Sequence, residues 1–504
     1  MPAIAIVGAG FSGVAVAWNL LQQLPPQSRL LLISNEAVIG QGLAYGTPSP
    51  HHLLNVPAAR MGISAEDEGG FLRYLQQLGL PFQASDFVPR NLYGAYLQRV
   101  LGEQRASASA RQIEFEIIYD NVIGIERTPA DSGHSDASST EPGSVSLTLR
   151  LANSAPKVVH SVVLALGNFA PRPLPYDASL SMLEQARARI VQSPWNYSAL
   201  IDVPVEARVL LLGSGLTAVD VLLQLRHLGH RGVVTMLSRR GLLAQAHRAA
   251  GQAGMATVPP GFVENFSKLR TVRAMLRFFR QSLAQLQLAA QQQEHQASAV
   301  ADWRDLLAAL RPVTDQLWQT LAPAERQRFL RHLQALWDSH RHRMAAPVAA
   351  RVNHELQQQR LQIRAGRLKH VHYQVNAGTT SAACWHVQWQ RRAESHCETS
   401  QFDFVINCTG PVSALRSQTQ GLLAQLLSRG QICSDAAELG LLIQPDYQVQ
   451  AADESSALPG LYYIGPLLKA QFWEATAVPE LRQHARRLAE HVLASLPSKN
   501  TSQI

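Results

Sequence analysis

The sequence predicts an α/β fold of two nested, three-layer (ββα) units with a helical insertion in the second. Three observations carry this. A short apolar strand, Ala3-Ile4-Ala5-Ile6-Val7, runs into the loop Gly8-Ala9-Gly10-Phe11-Ser12-Gly13 and then a helical stretch from Val14 to Leu24. The same order returns at Val209-Leu210-Leu211-Leu212 and Gly213-Ser214-Gly215, the first glycines lying 205 residues apart (213 minus 8). After each loop come a second strand, a β-meander and a strand that ends in glycine. One glycine loop is a weak signal, whereas a repeated order of elements specifies a doubled Rossmann-like, dinucleotide-binding architecture.

In the first half, Pro25-Pro26 stops the opening helix, and Arg29 to Ser34 reads as the second strand of a βαβ unit. Residues 111–165 read as a meander, with strands Glu114 to Tyr119, Val122 to Arg127, Val145 to Leu151 and Val158 to Leu164. The polar stretch Asp131 to Ser144 reads as a hairpin tip. The half ends at Val162-Val163-Leu164-Ala165-Leu166-Gly167.

In the second half, Leu216 to Leu228 is the helix and Val233 to Leu237 the next strand. A second meander covers about Leu368 to Trp389, and Phe404 to Asn407 leads into Cys408-Thr409-Gly410. Between them, residues 261–360 are rich in Leu, Ala, Gln and Arg at helical spacing. Pro312, Pro323 and Pro347 interrupt any coiled-coil heptad, so a helical insertion is the better reading. Glu474 to Leu496 reads as a last helix and Ser498 to Ile504 as a frayed tail. The expected domains are 1–175 with 402–504, 176–260 with 361–401, and the insertion 261–360.

The bulk numbers fit that plan. A chain of 504 residues is too long for one ordinary core, and 46% hydrophobic with 16% charged residues suits a folded globular protein. The net charge of +8 comes without a Lys/Arg block or a basic stripe interleaved with aromatics, which argues against nucleic acid and fits large anionic ligands. Four cysteines, Cys384, Cys397, Cys408 and Cys433, form no C-x-x-C pair. That argues against a redox-disulfide reading and a secreted disulfide framework, and favours a reducing cytoplasm. The first 21 residues are uncharged and apolar, but they lack a basic leader region and their glycines keep dinucleotide spacing, so neither a signal peptide nor a transmembrane segment is expected.

The loops carry the chemistry. Gly8 permits a tight turn, Gly10 lets the backbone approach a pyrophosphate, and Gly13 allows close helix–strand packing. The helix start, at Phe11 and Ser12, then offers free N–H donors to the anion. Glu36, 23 residues past Gly13, stands where a carboxylate accepts from ribose hydroxyls, with Asn35 as competitor. These features indicate FAD. The second loop has Ala218 in the third glycine's place, with Gly213, Gly215 and Thr217 as contacts. Ser238-Arg239-Arg240 follows its second strand where an acid would mark NAD. Arginine there suits a 2′-phosphate, so NADP is favoured over NAD, the alternative being that Arg239 and Arg240 are solvated or hold another anion.

Further stretches carry a family resemblance. They are Gly42-Leu43-Ala44-Tyr45-Gly46, His52-Leu53-Leu54-Asn55-Val56-Pro57 with Met61, Val88-Pro89-Arg90, Tyr93-Gly94 with Tyr96, and Pro194-Trp195. To these add Ser238-Arg239-Arg240-Gly241-Leu242-Leu243 with His247, His340-Arg341-His342-Arg343, Gly465-Pro466 and Phe472-Trp473-Glu474-Ala475-Thr476-Ala477-Val478-Pro479. On these the chain resembles the FAD–NAD(P)-binding proteins related to flavin-dependent N-hydroxylating and Baeyer–Villiger monooxygenases, nearest a bacterial FAD–NAD(P)-binding group within them. It departs from the Baeyer–Villiger enzymes in lacking a Phe-x-Gly-x3-His-x3-Trp motif. It has Gly465-Pro466 where many flavoproteins have Gly-Asp, and Lys469-Ala470 where the group tends to Arg-Gly.

Physically, Leu53 to Pro57 is an apolar loop with one amide, so Asn55 can meet a flavin edge or nicotinamide amide, or simply pack on the core. Gly167 and Gly465 can let the backbone approach the flavin. Trp473 and Glu474 precede or open a helix whose N–H groups can face the flavin, with a plain core aromatic as the alternative for Trp473. His340 and His342 are flanked by Arg341 and Arg343, which argues against a metal; a basic face toward an anionic ligand and a solvated face both remain open. His247 is either a nucleotide contact or a surface histidine. No Ser/His/Asp nucleophile arrangement appears, and no catalytic acid or base is named, since flavin chemistry belongs to the cofactor. The resemblance implies hydride passing from NADPH to FAD and oxygen then hydroxylating a small molecule. The alternatives are a flavin dehydrogenase serving a quinone or protein, and a non-catalytic flavin-binding partner protein. Substrate identity and oligomeric state are not legible.

Overall fold

The computed structural model describes residues 2–128, 146–249, 258–292, 302–374, 383–392, 394–417 and 419–496. The expected hairpin tip at Asp131 to Ser144 and the tail at Ser498 to Ile504 lie outside them. The chain divides into two units: Met1–Pro48, Pro57–Phe169 and Ser413–Ile504 form the first, and Ser49–Val56 with Ala170–Val412 the second.

The first unit is built on five strands in the order Leu461–Tyr463, Ser161–Leu164, Ala3–Val7, Arg29–Ser34 and Glu114–Tyr119, every neighbouring pair parallel. Ile4, Ala5 and Ile6 are 0% exposed, and so are Leu30, Leu31 and Leu32. Successive side chains point to opposite faces, so this sheet is covered on both. Helix Phe11–Gln23 packs on strands Ala3–Val7 and Arg29–Ser34 and against helices Arg90–Ala110 and Val478–Ala494. An antiparallel sheet, Val122–Arg127, Leu147–Leu151 and Lys157–Val159, completes the unit. The expected four-strand meander is therefore three strands. Glu114–Tyr119 pairs instead with Arg29–Ser34 in the parallel sheet. The expected strand Val158 to Leu164 is broken at His160, whose N–H goes to Ala3. That residue passes the chain from one sheet to the other.

The second unit repeats the plan. Its parallel sheet runs Leu361–Ala365, Val234–Ser238, Val209–Leu212, Phe404–Asn407 and Ile190–Val191. Its antiparallel sheet runs Glu398–Phe402, Cys384–Gln390 and Arg367–Gln374, with Asp177–Ala178 added in parallel at the edge. Between the sheets lies a core that includes Trp385 and Tyr373, both fully buried. The fifth strand comes from after the inserted chain in the first unit and from before the loop strand in the second. The domain border expected at 402 falls after Val412, because Phe404–Asn407 pairs with Val209–Leu212 residue for residue. The border expected at 175 falls at Phe169, and Ser49–Val56 was not expected in the second unit at all.

The segment read as a helical insertion is helical from Phe262 to Gln357, in pieces. Phe262, Phe266, Leu286, Leu306, Leu310 and Leu317 form a core of its own. Asp302 and Asp305 cap Trp303–Leu310 reciprocally. No described helix is long and apolar enough to cross a membrane.

Candidate functional site

In the first unit the loop glycines do three different jobs. Gly8 has φ +104°, and a Cβ there would stand 2.3 Å from the carbonyl oxygen of Ala165. A Cβ on Gly13 would stand 1.9 Å from the Gly8 oxygen, so the helix can sit on the strand end only without a side chain. At Gly10 a Cβ would meet only the Cα of Gly42, at 3.9 Å. Gly8 and Gly13 are thus required by packing, while Gly10 is open to an approaching ligand. Helix Phe11–Gln23 starts at Gly10 with no side-chain cap and no acid in its first turn. Its leading N–H groups and dipole end are left for an outside anion. Phe11 and Ser12 are buried, so what they offer a phosphate is backbone.

The same sheet edge gathers Glu36, Gly167 and Gly465, each just past the carboxyl end of a parallel strand, where ligands bind in open α/β sheets. Glu36 is half-buried and takes the Gly42 N–H, while its Oε2 is buried without a hydrogen-bond partner. Burial pushes its pKa up, and the Gly42 hydrogen bond opposes this. The competitor Asn35 is exposed. A buried, unfilled carboxylate oxygen fits two ribose hydroxyls. Gly167 has φ +67° and open space beside it. Gly465 has φ +138°, and a Cβ there would stand 2.9 Å from the Tyr463 hydroxyl and 4.0 Å from the Gly167 nitrogen. These two glycines form a bare stretch of backbone.

Trp473 and Glu474 lie in a turn ahead of helix Val478–Ala494, not in the helix expected from Glu474. Both are buried, and the Lys469 ammonium sits 4.2 Å over the Trp473 ring. Trp473 therefore occupies a core-aromatic position. Two residues were missed as site members. Gly42, at φ +51°, brings its backbone against Gly10 and holds Glu36. Tyr93 is fully buried with a hydroxyl that has no partner, its ring 6.3 Å from that of Phe11. Both lie in stretches that carry the family resemblance, Gly42 to Gly46 and Tyr93-Gly94, and that was the available signal.

The second unit makes the same turn. Gly213 has φ +124°, a Cβ there would stand 2.2 Å from the Cys408 oxygen, and its N–H donates to Leu237 at 2.8 Å. The Gly8 N–H donates to Ile33 at the same 2.8 Å. Gly215 starts helix Leu216–His227, again without a side-chain cap or an early acid, and has open space around it. Ala218 is fully buried where the third glycine would stand, and Thr217 is half-buried in the first turn. The Ser214 hydroxyl meets Ser238 Oγ at 2.7 Å and the Leu242 carbonyl at 2.6 Å, tying the loop to the chain after the second strand. The two arginines separate: Arg240 donates to the Arg331 carbonyl at 2.9 Å, while Arg239 is exposed with no ion pair among the described residues. Arg239 is the one available to a 2′-phosphate.

Ser49–Val56 is held on this unit. His52 is fully buried, with Nε2 2.9 Å from the Asp220 carbonyl, and the His51 ring stands 4.8 Å from His227. The Asn55 carbonyl lies 3.0 Å from His247 Nε2. His247 is half-buried: burial and then Arg343 lower its pKa to about 4, so the ring is neutral at pH 7 and Nε2–H is the donor to Asn55. Two motifs 192 residues apart are thus one contact.

Residues 5–169 match the family model for FAD-NAD(P)-binding domains. No protein of curated function matches the chain by sequence. Among solved structures the chain is similar to the ornithine N-hydroxylase of Kutzneria sp. 744, solved with reduced FAD, NADP+ and L-ornithine, at TM-score 0.60 and 13% identity over 97% of this chain and 98% of that one. It is similar to the reduced ornithine hydroxylase of Pseudomonas aeruginosa at TM-score 0.59 and 15% identity, over 98% and 99% of the two chains. It is also similar to the L-lysine 6-monooxygenase of Pseudomonas syringae at 0.57 and 15%, again over 98% and 99%. At these identities the likeness establishes a shared fold along the whole chain.

Proposed function

We propose that this chain is an FAD-dependent, NAD(P)H-using oxidoreductase, a monooxygenase that hydroxylates a small molecule. The observation that carries the reading is the pair of cradles built to one plan and finished with opposite charges. Gly8 against the Ala165 carbonyl and Gly213 against the Cys408 carbonyl make equivalent turns below uncapped helix starts. The first ends in Glu36 with an unfilled buried oxygen, the second in an exposed Arg239 with no ion pair among the described residues. An acid at that point suits ribose hydroxyls and an arginine suits a 2′-phosphate, which supports FAD in the first unit and NADP, rather than NAD, in the second.

When bound, NADPH supplies hydride, and FAD accepts it and activates oxygen. The chain's part is binding and positioning. Gly10 and the N–H groups of Phe11 and Ser12 would hold the FAD pyrophosphate, Glu36 the ribose, and the bare backbone of Gly167 and Gly465 would let the flavin lie close. Gly215 and Thr217 would hold the NADP pyrophosphate, with Arg239 on the 2′-phosphate. The neutral His247 fixes the backbone at Asn55, so that residue's side chain is presented from a defined position. Amine nitrogen as the site of hydroxylation is supported by neighbours that act on ornithine and lysine over nearly their whole lengths. The lack of a C-x-x-C pair supports electron transfer without a disulfide relay and fits a reducing cytoplasm.

The test is anaerobic mixing of the FAD-loaded protein with NADPH, followed by admission of oxygen in the presence of L-ornithine or L-lysine. Bleaching of the oxidised flavin's visible absorption by NADPH, faster than by NADH, is expected. Hydroxylated amine should then form in step with NADPH use. A flavin spectrum that NADPH leaves unchanged refutes the proposal.

A further inference from the structure

The two sheets of the second unit do not close on each other across their whole width. Packed sheet layers stand ~10 Å apart and fill the space between with interdigitating side chains. Around Leu210 and Leu212 large aromatics do that filling, Tyr373, Trp385 and Trp389 among them. Toward the outer strands they do not. The antiparallel sheet ends at Glu398–Phe402, while the parallel sheet runs on through Val234–Ser238 to Leu361–Ala365. A cavity of about 300 Å³ lies there, at the lower end of the volumes that hold small organic ligands.

Strand register builds its floor. Leu210, Thr235 and Gln362 stand abreast on three neighbouring strands, and Leu237 and Arg364 stand abreast two residues on, so their side chains share one face. The roof is Trp389, Ser400 and Phe402, with the Trp389 indole N–H directed at Ser400 Oγ, 3.4 Å away. Among the described residues no carboxylate lines the cavity, while two guanidiniums do. Arg208 is already matched, because Asp403 takes its Nε at 3.2 Å and its Nη2 at 2.8 Å. Arg364 is exposed, donates to the Gln362 side chain at 3.0 Å and makes no ion pair among the described residues. Arg391, 5.7 Å from the Trp389 ring centroid, is paired with Glu398. The arrangement leaves one unmatched cation beside an apolar slot. It is also apart from the nucleotide cradle. That loop leaves Val209–Leu212 at its carboxyl end through Gly213, whereas the cavity reaches Arg208 and Val233, just ahead of the first residues of two strands.

We propose that this cavity binds a small organic monocarboxylate, its apolar body between the two sheets and its carboxylate on Arg364. A guanidinium fork takes both oxygens of a carboxylate, and one unmatched cation calls for one negative charge. A phosphate monoester would bring a second charge with no partner, and an uncharged molecule would leave the fork unfilled. The site does not rest on the function proposed above.

The experiment is an equilibrium titration of the full-length protein with benzoate and hexanoate, and with benzamide as the uncharged control. Tryptophan fluorescence, to which Trp389 contributes from the cavity roof, and thermal-unfolding shifts report binding. Wild type is compared with Arg364→Gln, Arg364→Lys and Val233→Phe, the last placing a larger side chain at an exposed edge of the cavity. At least one carboxylate should bind wild type, and benzamide about tenfold or more weakly than benzoate. Arg364→Gln should lower carboxylate affinity about tenfold and leave benzamide unchanged, Arg364→Lys should restore part of the loss, and Val233→Phe should weaken all three ligands. Saturating NADP+ should leave carboxylate affinity unchanged. The proposal is overturned if neither carboxylate binds wild type, if Arg364→Gln binds it as tightly, or if NADP+ displaces it. Because the readout is carboxylate binding, it stands apart from whether NADPH reduces the flavin.

Discussion

Glu36→Gln should move cofactor affinity and apoprotein stability in opposite directions. The glutamine keeps its length and one oxygen for the Gly42 N–H, but places an amide nitrogen where the unfilled Oε2 now stands. That nitrogen cannot accept a hydroxyl proton. A hydrogen bond to an ionised acceptor contributes about 1.5–3 kcal/mol net, so the FAD dissociation constant should rise about 10- to 150-fold. In the apoprotein the sign reverses. Burial raises the folded-state pKa of this acid, so its ionised form destabilises the fold above the unfolded pKa, and the penalty fades as pH falls through the raised value. A neutral glutamine carries no such penalty. At pH 7 the apo variant should match or exceed wild type, by about 1 kcal/mol or less once solvent screening at a half-buried site is allowed for. Its stability should also vary less than that of wild type just above the usual carboxylate range. The assay is FAD titration by flavin fluorescence quenching, paired with urea unfolding of the apoproteins. An FAD affinity within twofold of wild type would refute the ribose contact, and a large loss of apo stability would refute the account of the unfilled oxygen.

Gly213→Ala places a methyl 2.2 Å from the Cys408 oxygen at φ +124°, a conflict that backbone movement must relieve at a cost of at least about 2 kcal/mol. NADPH-driven bleaching should be lost while FAD stays bound and dithionite still reduces it; bleaching at the wild-type rate would show that this turn does not shape the nucleotide site. Glu355→Ala removes the carboxylate that takes Arg226 at 2.7 Å and Arg360 at 2.7 Å. Arg226 also binds the carbonyls of His230 at 3.0 Å, Gly232 at 3.1 Å and Arg360 at 3.1 Å. Stranding that buried guanidinium should cost about 3–5 kcal/mol, read from the denaturant midpoint, and a loss below about 1 kcal/mol would mean that water replaces the pair.

Much of the site was legible because its rules are local. Glycine at the first and sixth loop positions is demanded by contacts with the loop's own strand end and the adjoining strand, and the structure shows carbonyls 2.3 Å and 1.9 Å from where side chains would be. Glu36 was legible because a fixed number of residues carries the chain along one helix and back up one strand. The split between Arg239 and Arg240 was not, since it depends on the Arg331 carbonyl some ninety residues on. The surroundings of His247 were not legible, since cations of the helical segment and the Asn55 backbone reach it from distant parts of the chain.

By itself the sequence determined the two glycine turns, the strands and helices flanking them, and the sign of charge after each second strand, because backbone sterics and short-range periodicity act within a few residues. Only the tertiary structure decided that Phe404–Asn407 joins the second sheet, that Ser49–Val56 is held by His52 and His247 in the second unit, and that Arg304 and Arg343 both meet the ring of Trp303. Strand partners and charge clusters are set by which surfaces can be buried together, and that is a property of the packed chain rather than of any window along it.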